Sequence, residues 1–151
     1  MEIVPYRPEL APAFRSLNRA WIERFFALEP ADLKTLDDPA GAIVAPGGEI
    51  FFALVAGTVA GTAAAVPVGP GAFELAKMAV SPEHQGSGIG QALGRAVIDW
   101  VRSQRATRLF LLTNSSLGPA LRLYRRLGFQ DRPLPSHTDY ARADVYMEYP
   151  L

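Results

Sequence analysis

The sequence predicts an α/β domain with a mixed central sheet of about six or seven strands, flanked by about four helices. Two observations predict this class. Two β-rich runs, Glu49 to Ala56 and Val59 to Val68, meet at Gly57-Thr58, which is typical of an antiparallel hairpin. A third run, Phe73 to Val80, leads through a glycine-rich loop into a helix and then another strand. That order is typical of a parallel crossover, so we expect both kinds of pairing in one sheet.

The N-terminal part of the chain predicts one strand and two helices. Residues 2–7 alternate enough in polarity for an edge strand. Apolar side chains at helical spacing over residues 11–27 predict an amphipathic helix. A second, short helix is expected next, because Pro30 suits a helix start and Pro39 does not continue one.

The C-terminal half predicts two helices and two further strands. Residues 88–103 carry apolar side chains on one helical face, and residues 107–113 form the apolar run of a buried strand. A helix over residues 119–127 is closed by Gly128, and residues 144–151 supply a last strand. We therefore expect one domain that spans residues 1–151.

The composition excludes several classes of protein. A chain of 151 residues with 49% hydrophobic residues suits one sizeable core. The 15 basic and 15 acidic residues give zero net charge, which argues against a nucleic-acid partner. Without cysteine there is no disulfide scaffold, thiolate metal site or cysteine nucleophile, and we expect no metal. No apolar run approaches the roughly 20 residues of a membrane span, and the N-terminus lacks a signal-peptide core, so we expect a cytoplasmic protein with no membrane partner.

The loop after Val80 carries the most informative motif, Gln85-Gly86-Ser87-Gly88-Ile89-Gly90. Glycines let backbone N–H groups approach a ligand closely, and the helix start adds partial positive charge, so the loop suits a phosphate anion. A dinucleotide fingerprint fails on spacing, because Gln91 stands where its third glycine would be. A P-loop fails because no Gly-Lys-Ser/Thr follows. A flexible turn is the simpler alternative.

A second motif, Leu123-Tyr124-x-x-x-Gly128-Phe129, follows further along the chain. With the strand, glycine loop, helix and strand before it, this motif resembles the GNAT N-acetyltransferase superfamily. Gln85, Gly88 and Gly90 fit the family's loop pattern of Arg or Gln, two residues, Gly, one residue, and Gly or Ala. The resemblance implies transfer of an acetyl group from acetyl-CoA to a primary amine of a small molecule or protein, in a ternary complex. A non-catalytic acyl-CoA sensor or interaction module on the same fold is the alternative function. The sequence is compatible with either a monomer or a homodimer.

The resemblance also implies where acetyl-CoA would lie, with pantetheine extending the strand that ends at Val80 and the loop holding the pyrophosphate. The implied coenzyme-binding residues are Met78, Ala79, Val80, Gln85, Gly86, Ser87, Gly88, Ile89, Gly90, Gln91, Asn114, Pro119, Tyr124 and Arg126. The N–H of Met78 would lie near the thioester carbonyl. Asn114 departs from the family pattern, which more often has asparagine at the position of Leu117, and turn capping is its alternative role. A solvated helix face is the alternative for Arg126.

Tyr124 and Glu74 are the candidates for catalytic acid and base. In relatives the tyrosine lies near the coenzyme sulfur, so Tyr124 would protonate the leaving thiolate. Glu74 resembles in position the glutamate base of the histone-acetylating branch. Strand alternation would put Glu74 on one face with Met78 and Val80, where a carboxylate would have a raised pKa. A packed aromatic residue with a bonded hydroxyl and a solvent-facing carboxylate are the respective alternatives.

The acceptor amine is the part of the reaction that the sequence defines least. The first helices carry Trp21, Phe25 and Glu29, and the central strand carries Glu74. Aromatic rings beside carboxylates could hold a cationic amine through cation–π and ion-pair contacts. Core packing is the alternative for the two aromatic residues. The polar run from His137 to Tyr140 is a second candidate cluster, with an ordinary loop as its alternative.

Overall fold

Seven strands form one mixed sheet in the computed structural model, which describes all residues from 1 to 151. The strands are β1 (Glu2–Pro5), β2 (Glu49–Val55), β3 (Thr58–Pro67), β4 (Ala72–Val80), β5 (Arg108–Thr113), β6 (Gln130–Arg132) and β7 (Val145–Tyr149). The α-helices are α1 (Ala11–Phe25), α2 (Pro30–Asp37), α3 (Ile89–Ser103) and α4 (Gly118–Leu127), with short turns of other helix types at Pro8–Leu10, Ala40–Val44 and Pro82–His84. The predicted α/β class is confirmed. The sequence did not predict β6, because its three exposed residues carry no hydrophobic pattern.

The strand order is β1-β2-β3-β4-β5-β7-β6, and only β4 and β5 are parallel neighbours. They are parallel because α3 returns the chain across the sheet between them. Their pairing stops after three residues, Ala72–Glu74 opposite Arg108–Phe110. Beyond these residues the two strands diverge, and the edge of β4 that faces β5 has no strand partner.

Each face of the sheet has its own hydrophobic core. On one face α3 and α4 pack onto β4 and β5, and the buried residues there include Phe73, Leu75, Leu93, Val97, Ile98, Leu109 and Leu127. On the other face α1, α2 and the turn at Ala40–Val44 cover β2 and β3, and the buried residues include Phe14, Ile22, Leu36, Ile43, Ile50, Phe52 and Ala64. Apolar burial on both faces holds the sheet between the helices, and the sheet opens where β4 and β5 diverge.

A β-bulge interrupts β4 at Lys77. Two residues of β4, Lys77 and Met78, stand opposite a single residue of β3, Ala63. Lys77 has a φ of +54°, a left-handed conformation that is uncommon for any residue other than glycine. An extra residue of this kind leaves part of the strand ladder unpaired and turns the following side chains.

The bulge overturns the predicted alternation of side chains along β4. Glu74 points to the face covered by α1, whereas Met78 and Val80 pack against the core under α3. The prediction that all three share a face is wrong, because one extra residue shifts the period-two alternation by one position.

Left-handed glycines set the ends of the two helices beside the opening. Gly88, with a φ of +84°, precedes α3 and lets the chain turn directly from the loop into the helix. Gly128, with a φ of +114°, closes α4 as the sequence predicts. None of the helices has the length and apolar character that crossing a membrane requires.

Replacing Gly94 of α3 by alanine should destabilise the protein, although alanine normally favours a helix by about 1 kcal/mol. A Cβ at Gly94 would lie 2.5 Å from Leu127 Cδ1 on α4, so the packing of the two helices would have to shift. We expect a loss of about 1–2 kcal/mol in the free energy of unfolding, measured by urea titration. In Gly94→Ala/Leu127→Ala the loss should be smaller than the sum of the two single losses, and strictly additive losses would contradict the contact.

Candidate active site

Two adjoining cavities open where β4 and β5 diverge. The outer one is a groove with a volume of about 610 Å³, and the inner one is a cavity of about 90 Å³. Four side chains line both spaces: Trp21, Met78, Leu117 and Tyr124. The outer groove and the inner cavity therefore meet at these four residues, where a group bound in one can reach a group bound in the other.

The outer groove runs past the end of β4, the glycine loop and one side of α4. Of the residues that the sequence assigns to the coenzyme, those on its wall are Met78, Ala79, Val80, Gln85, Gly86, Gly88, Ile89, Gly90, Gln91, Pro119, Tyr124 and Arg126. Ser87 is not on the wall, and its hydroxyl donates to the carbonyl of His84 within the loop. Asn114 lies on the wall of the inner cavity instead.

The glycine loop presents open backbone to the outer groove. Gly86 and Gly88 have φ values of +80° and +84°, and a Cβ at either position would meet no atom within 4 Å. The loop is tied to β4, because Gln85 Nε2 donates to the carbonyl of Val80 at 3.3 Å. The start of α3 adds backbone N–H groups that have no partner within the helix. This end of the groove therefore suits an anion.

Gly90 serves helix packing as well as access to the groove. A Cβ at this position would lie 3.0 Å from Leu123 Cδ2 and 3.9 Å from Met78 Sδ. The glycine therefore lets the first turn of α3 approach α4 closely, which the loop pattern alone does not reveal.

The two consecutive arginines of α4 have different surroundings. Arg125 pairs with Asp131 at 3.1 Å, and both side chains are about half exposed. Arg126 is exposed and lines the outer groove. Of the two, Arg126 is the one placed to meet a bound phosphate.

Tyr124 stands at the junction of the outer groove and the inner cavity. Its ring packs edge-on against Phe129, with the ring centroids 6.3 Å apart. Burial raises the pKa of the Tyr124 hydroxyl to about 12, and no protein group shares a hydrogen bond with it. At neutral pH the phenol is therefore protonated and free to donate to a group bound at the junction.

Glu74 lies on the wall of the inner cavity, at the last position where β4 and β5 pair. Burial raises its pKa to about 7, while the positive charge of Lys77 opposes this rise and the negative charge of Asp139 adds to it. No protein group donates a hydrogen bond to the carboxylate. Near neutral pH the group is divided between its acid and base forms, which suits a proton acceptor.

A buried ion network adjoins the inner cavity and was missed by the sequence analysis. The carboxylate of Asp32 is fully buried and accepts hydrogen bonds from Lys77 Nζ at 2.7 Å and from both Nη atoms of Arg142 at 2.9 and 2.7 Å. Arg142 also donates to Glu29 at 3.0 Å. The ring of Tyr140 lies beside both cations, its centroid 4.6 Å from Lys77 Nζ and 4.6 Å from Arg142 Cζ.

Hydrogen bonding in this network outweighs the effect of burial on Asp32. Burial alone would raise the pKa of Asp32, but the hydrogen bonds from Arg142, Lys77 and the backbone of Glu29 bring it to about 2. The one local signal for the network was Lys77, which with Glu74 is one of two charged residues in the mainly apolar run of β4. The partners of Lys77 lie 45 and 63 positions away in the sequence, so no spacing rule could have identified them.

The residues of the first two helices that were predicted to hold the acceptor amine do not all line the same space. Trp21 lines both spaces, Phe25 lines the outer groove, and Glu29 lines neither. The rings of Trp21 and Phe25 are 5.2 Å apart, and Phe25 is 44% exposed, so it is not a core residue. Glu29 caps α2 and accepts hydrogen bonds from Arg142 and from the N–H of Ala141. Its carboxylate therefore already has protein partners.

The amide of Asn114 holds the loop between β5 and α4. Its Nδ2 donates to the carbonyl of Arg142 at 2.7 Å, and its Oδ1 accepts from the N–H and the hydroxyl of Ser116 at 2.9 and 2.6 Å. This is the turn-capping arrangement that the sequence analysis kept as the alternative for Asn114.

The polar run at residues 137–140 contributes one side chain to a cavity wall. Tyr140 lines the inner cavity, and its hydroxyl accepts a hydrogen bond from Lys77 at 3.0 Å. Asp139 acts at longer range through its charge on Glu74, and His137 lines neither space.

Comparison with known proteins identifies the class to which this fold and site belong. The sequence profile of the acetyltransferase (GNAT) family matches residues 11–129. The chain therefore belongs to this family, as the resemblance in its two motifs implied. Among curated proteins, N-acetyltransferase family 8 member 2 of Rattus norvegicus is 36% identical over 88 residues, which are 55% of this chain and 39% of the rat protein. The chain thus matches about two fifths of that relative's length.

Solved structures show the same fold over nearly the whole chain. The GNAT-family acetyltransferase of Staphylococcus aureus Mu50 superposes with a TM-score of 0.87 at 18% identity, covering 98% of this chain and 97% of that one. The PaiA N-acetyltransferase of Thermoplasma acidophilum, solved in complex with coenzyme A, gives a TM-score of 0.76 at 14% identity over 100% of both chains. At these identities the likeness shows the fold.

Asp32→Asn should destabilise the fold by about 3–5 kcal/mol, because two cations next to the cavity lose their shared carboxylate. Asp37→Asn is the matched control on the same helix: its pair with Arg15 is about half exposed, and its loss should cost less than about 1 kcal/mol. Urea titrations at neutral pH measure both changes. Equal losses in the two variants would contradict the role of the network.

The stabilising contribution of Asp32 should also depend on pH. Its pKa in the folded state is about 2, below the ordinary value of 3.8, so the contribution is present above about pH 4 and is lost as the pH falls toward 2. The stability gap between wild type and Asp32→Asn should therefore narrow in urea titrations as the pH falls from about 4 toward about 2. A gap that stays constant over this range would contradict the lowered pKa.

Proposed function

We propose that this chain is an N-acetyltransferase that moves the acetyl group of acetyl-CoA to a primary amine by direct attack in a ternary complex. The observation that carries the proposal is the junction at Tyr124, where a groove suited to an anion meets a cavity that contains an unpaired carboxylate, Glu74. Membership of the acetyltransferase family and the similarity to a protein named as an N-acetyltransferase support it. Residues 1–151 would then form one catalytic domain.

Acetyl-CoA would occupy the outer groove. The backbone N–H groups of the glycine loop and of the start of α3 would bind the pyrophosphate. Because the net charge of the chain is zero, the positive charge that meets the phosphates has to come from a nearby side chain. Arg126, on the wall of the groove, would supply it. The PaiA protein, which has this fold and was solved with coenzyme A, supports the choice of ligand.

The pantetheine arm would lie in the opening between β4 and β5. Beyond Glu74 the edge of β4 has no strand partner, so the backbone groups of Met78 and Val80 on that edge can pair with the pantetheine amides as with an added strand. The N–H of Met78, within the bulge, would then lie near the thioester carbonyl and stabilise the oxyanion that forms there.

The reaction would proceed at the junction of the two spaces. Glu74 would take a proton from the ammonium group of the acceptor, directly or through water, and leave the nitrogen lone pair free to attack the thioester carbon. When the tetrahedral intermediate collapses the carbon–sulfur bond breaks, and Tyr124 would give its proton to the thiolate. The nitrogen of the new amide loses its second proton to solvent, and the phenolate of Tyr124 regains a proton from solvent. Glu74 releases its proton to bulk water.

A screen of primary amines for release of free thiol from acetyl-CoA tests the activity. We expect amine-dependent thiol release and an N-acetylated product detected by mass spectrometry. A chain that binds acetyl-CoA but transfers its acetyl group to no amine would contradict the proposal and favour a coenzyme sensor.

Gly86→Ala should weaken binding of coenzyme A by about tenfold in calorimetry, because a methyl group would stand where the pyrophosphate approaches the loop. Gly57→Ala is the matched control: Gly57 has a φ of +78° against +80° for Gly86, and neither position has an atom within 4 Å of an added Cβ. Both variants should lose similar stability, whereas Gly57→Ala should bind coenzyme A normally. Equal affinities in the two variants would place the pyrophosphate elsewhere.

Tyr124→Phe should lower kcat by roughly 10- to 1000-fold with little change in coenzyme A affinity, because the variant keeps the ring and loses the proton donor. Tyr149→Phe is the control, since this tyrosine packs against Phe129 and accepts a hydrogen bond from Arg102 outside both spaces. Steady-state rates of thiol release measure the effect. Normal turnover in Tyr124→Phe would remove the acid role from this residue.

The value of kcat/KM should rise with pH through about 7, because the pKa of Glu74 is raised to about 7 and its base form is present above that pH. Glu74→Gln should abolish this rise. Asp139→Asn should shift it to lower pH, because the negative charge of Asp139 adds to the raised pKa. A Glu74→Gln enzyme with the wild-type pH profile would assign the base to another group or to water.

A further inference from the structure

The inner cavity offers no spare positive charge to a substrate. Three charged side chains line it: Glu74, Lys77 and Arg142. Both cations already have carboxylate partners, since Lys77 binds Asp32, and Arg142 binds Asp32 and Glu29. Two cations thus face two carboxylates, and their charges cancel. The remaining charged group, Glu74, is an acid without a partner.

A second oxygen on the cavity wall comes from Asn18 of α1. The residue is 1% exposed, and its Nδ2 donates to the carbonyl of Phe14, one turn earlier, at 3.0 Å. This bond fixes the orientation of the amide, so that Oδ1 is the side-chain atom without a hydrogen bond to the protein. Every fully inaccessible side-chain oxygen of the protein has a hydrogen-bond partner, whereas no protein group donates to Asn18 Oδ1. Oδ1 is therefore accessible, and the space that Asn18 lines is the inner cavity. The cavity therefore contains two hydrogen-bond acceptors, on Asn18 and Glu74, for the N–H groups of an amine.

Most of the residues around the inner cavity are hydrophobic. Of the 17 residues around the inner cavity 11 are hydrophobic, and neither of its two cations is free to pair with a second charge on the substrate. Trp21 continues this surface to the outer groove, where the exposed ring of Phe25 lies 5.2 Å from it. An apolar body attached to the amine would lie against these rings. A carboxylate beside the amine would lose water next to Glu74 and gain no free cation.

On the basis of the proposed function, we propose that the acceptor is a primary amine carried on an uncharged, apolar body. The nitrogen lies between Asn18 Oδ1 and the carboxylate of Glu74, and the apolar body packs against Trp21 and Phe25. Free α-amino acids are poor acceptors, because the cations that would recognise their carboxylate are neutralised by Asp32 and Glu29.

Three amines that differ in one substituent test the acceptor class: phenethylamine, phenylalaninamide and phenylalanine. We expect kcat/KM for each of the first two to exceed that for phenylalanine by at least about tenfold. Equal or better use of phenylalanine would overturn the inference while leaving the acetyltransferase activity established. A chain that binds acetyl-CoA but acetylates none of the three would also overturn it, whereas failure to bind acetyl-CoA would contradict the proposed function itself.

Glu29→Gln tests whether charge cancellation sets the preference. This change keeps the shape of the helix cap but frees part of the charge of Arg142, so kcat/KM for phenylalanine relative to phenethylamine should rise several-fold. Glu23→Gln is the control, because this exposed carboxylate of α1 pairs with Arg19 and lines neither space. A ratio that stays unchanged in Glu29→Gln, or that rises equally in Glu23→Gln, would overturn the charge argument.

Asn18→Leu tests the oxygen on the cavity wall. We expect the KM for phenethylamine to rise by about tenfold while the KM for acetyl-CoA stays unchanged. Asn18→Thr provides a second variant that keeps the helix bond, because a threonine hydroxyl can donate to the carbonyl of Phe14. It should show the same selective rise. A wild-type amine KM in a variant that binds acetyl-CoA normally would overturn the role of Asn18.

Discussion

The divergence of β4 and β5 is the constraint on which the rest of the site depends. Only three residue pairs join the two strands, and past Glu74 each strand continues without the other. The separate cores on the two faces of the sheet hold the helices in place while the strands separate between them. If β4 and β5 stayed paired along their whole length, they would close the opening at which the outer groove and the inner cavity meet. The same gap leaves one edge of β4 unpaired, and it positions Glu74 at the point of separation and Tyr124 across the opening.

The buried ion network gives this opening a fixed wall. It joins α2, the bulge of β4 and the segment before β7 through the paired charges of Asp32, Lys77 and Arg142. Lys77 holds a left-handed backbone conformation at the same position, so the bulge and the network depend on one residue. Buried ion pairs often contribute little net stability compared with apolar packing, but removing one partner leaves an uncompensated charge. The network therefore specifies the geometry and charge of the inner wall more than it stabilises the fold.

The sequence predicted the fold class, the glycine loop and its helix, because these features depend on local patterns. Apolar periodicity identified the central strands, and the positive φ of Gly88 and Gly128 follows from their places at helix ends. The prediction of which side chains of β4 share a face was wrong, because nothing in the local sequence indicates a bulge at Lys77. Of the residues predicted to hold the acceptor amine, Glu29 lines neither space, for a related reason. The sequence around Glu29 shows no partner for its carboxylate. The partner, Arg142, lies more than 100 positions away and is brought into contact with it only by the fold.

The most direct test of the account is a crystal structure of this chain with coenzyme A. The central claim is that the opening between β4 and β5 is where coenzyme and amine meet. The account predicts the pyrophosphate on the N–H groups of the glycine loop, the pantetheine along the free edge of β4, and the sulfur within about 3.5 Å of the Tyr124 hydroxyl. A coenzyme bound outside the outer groove, or a sulfur that points away from the junction with the inner cavity, would contradict it.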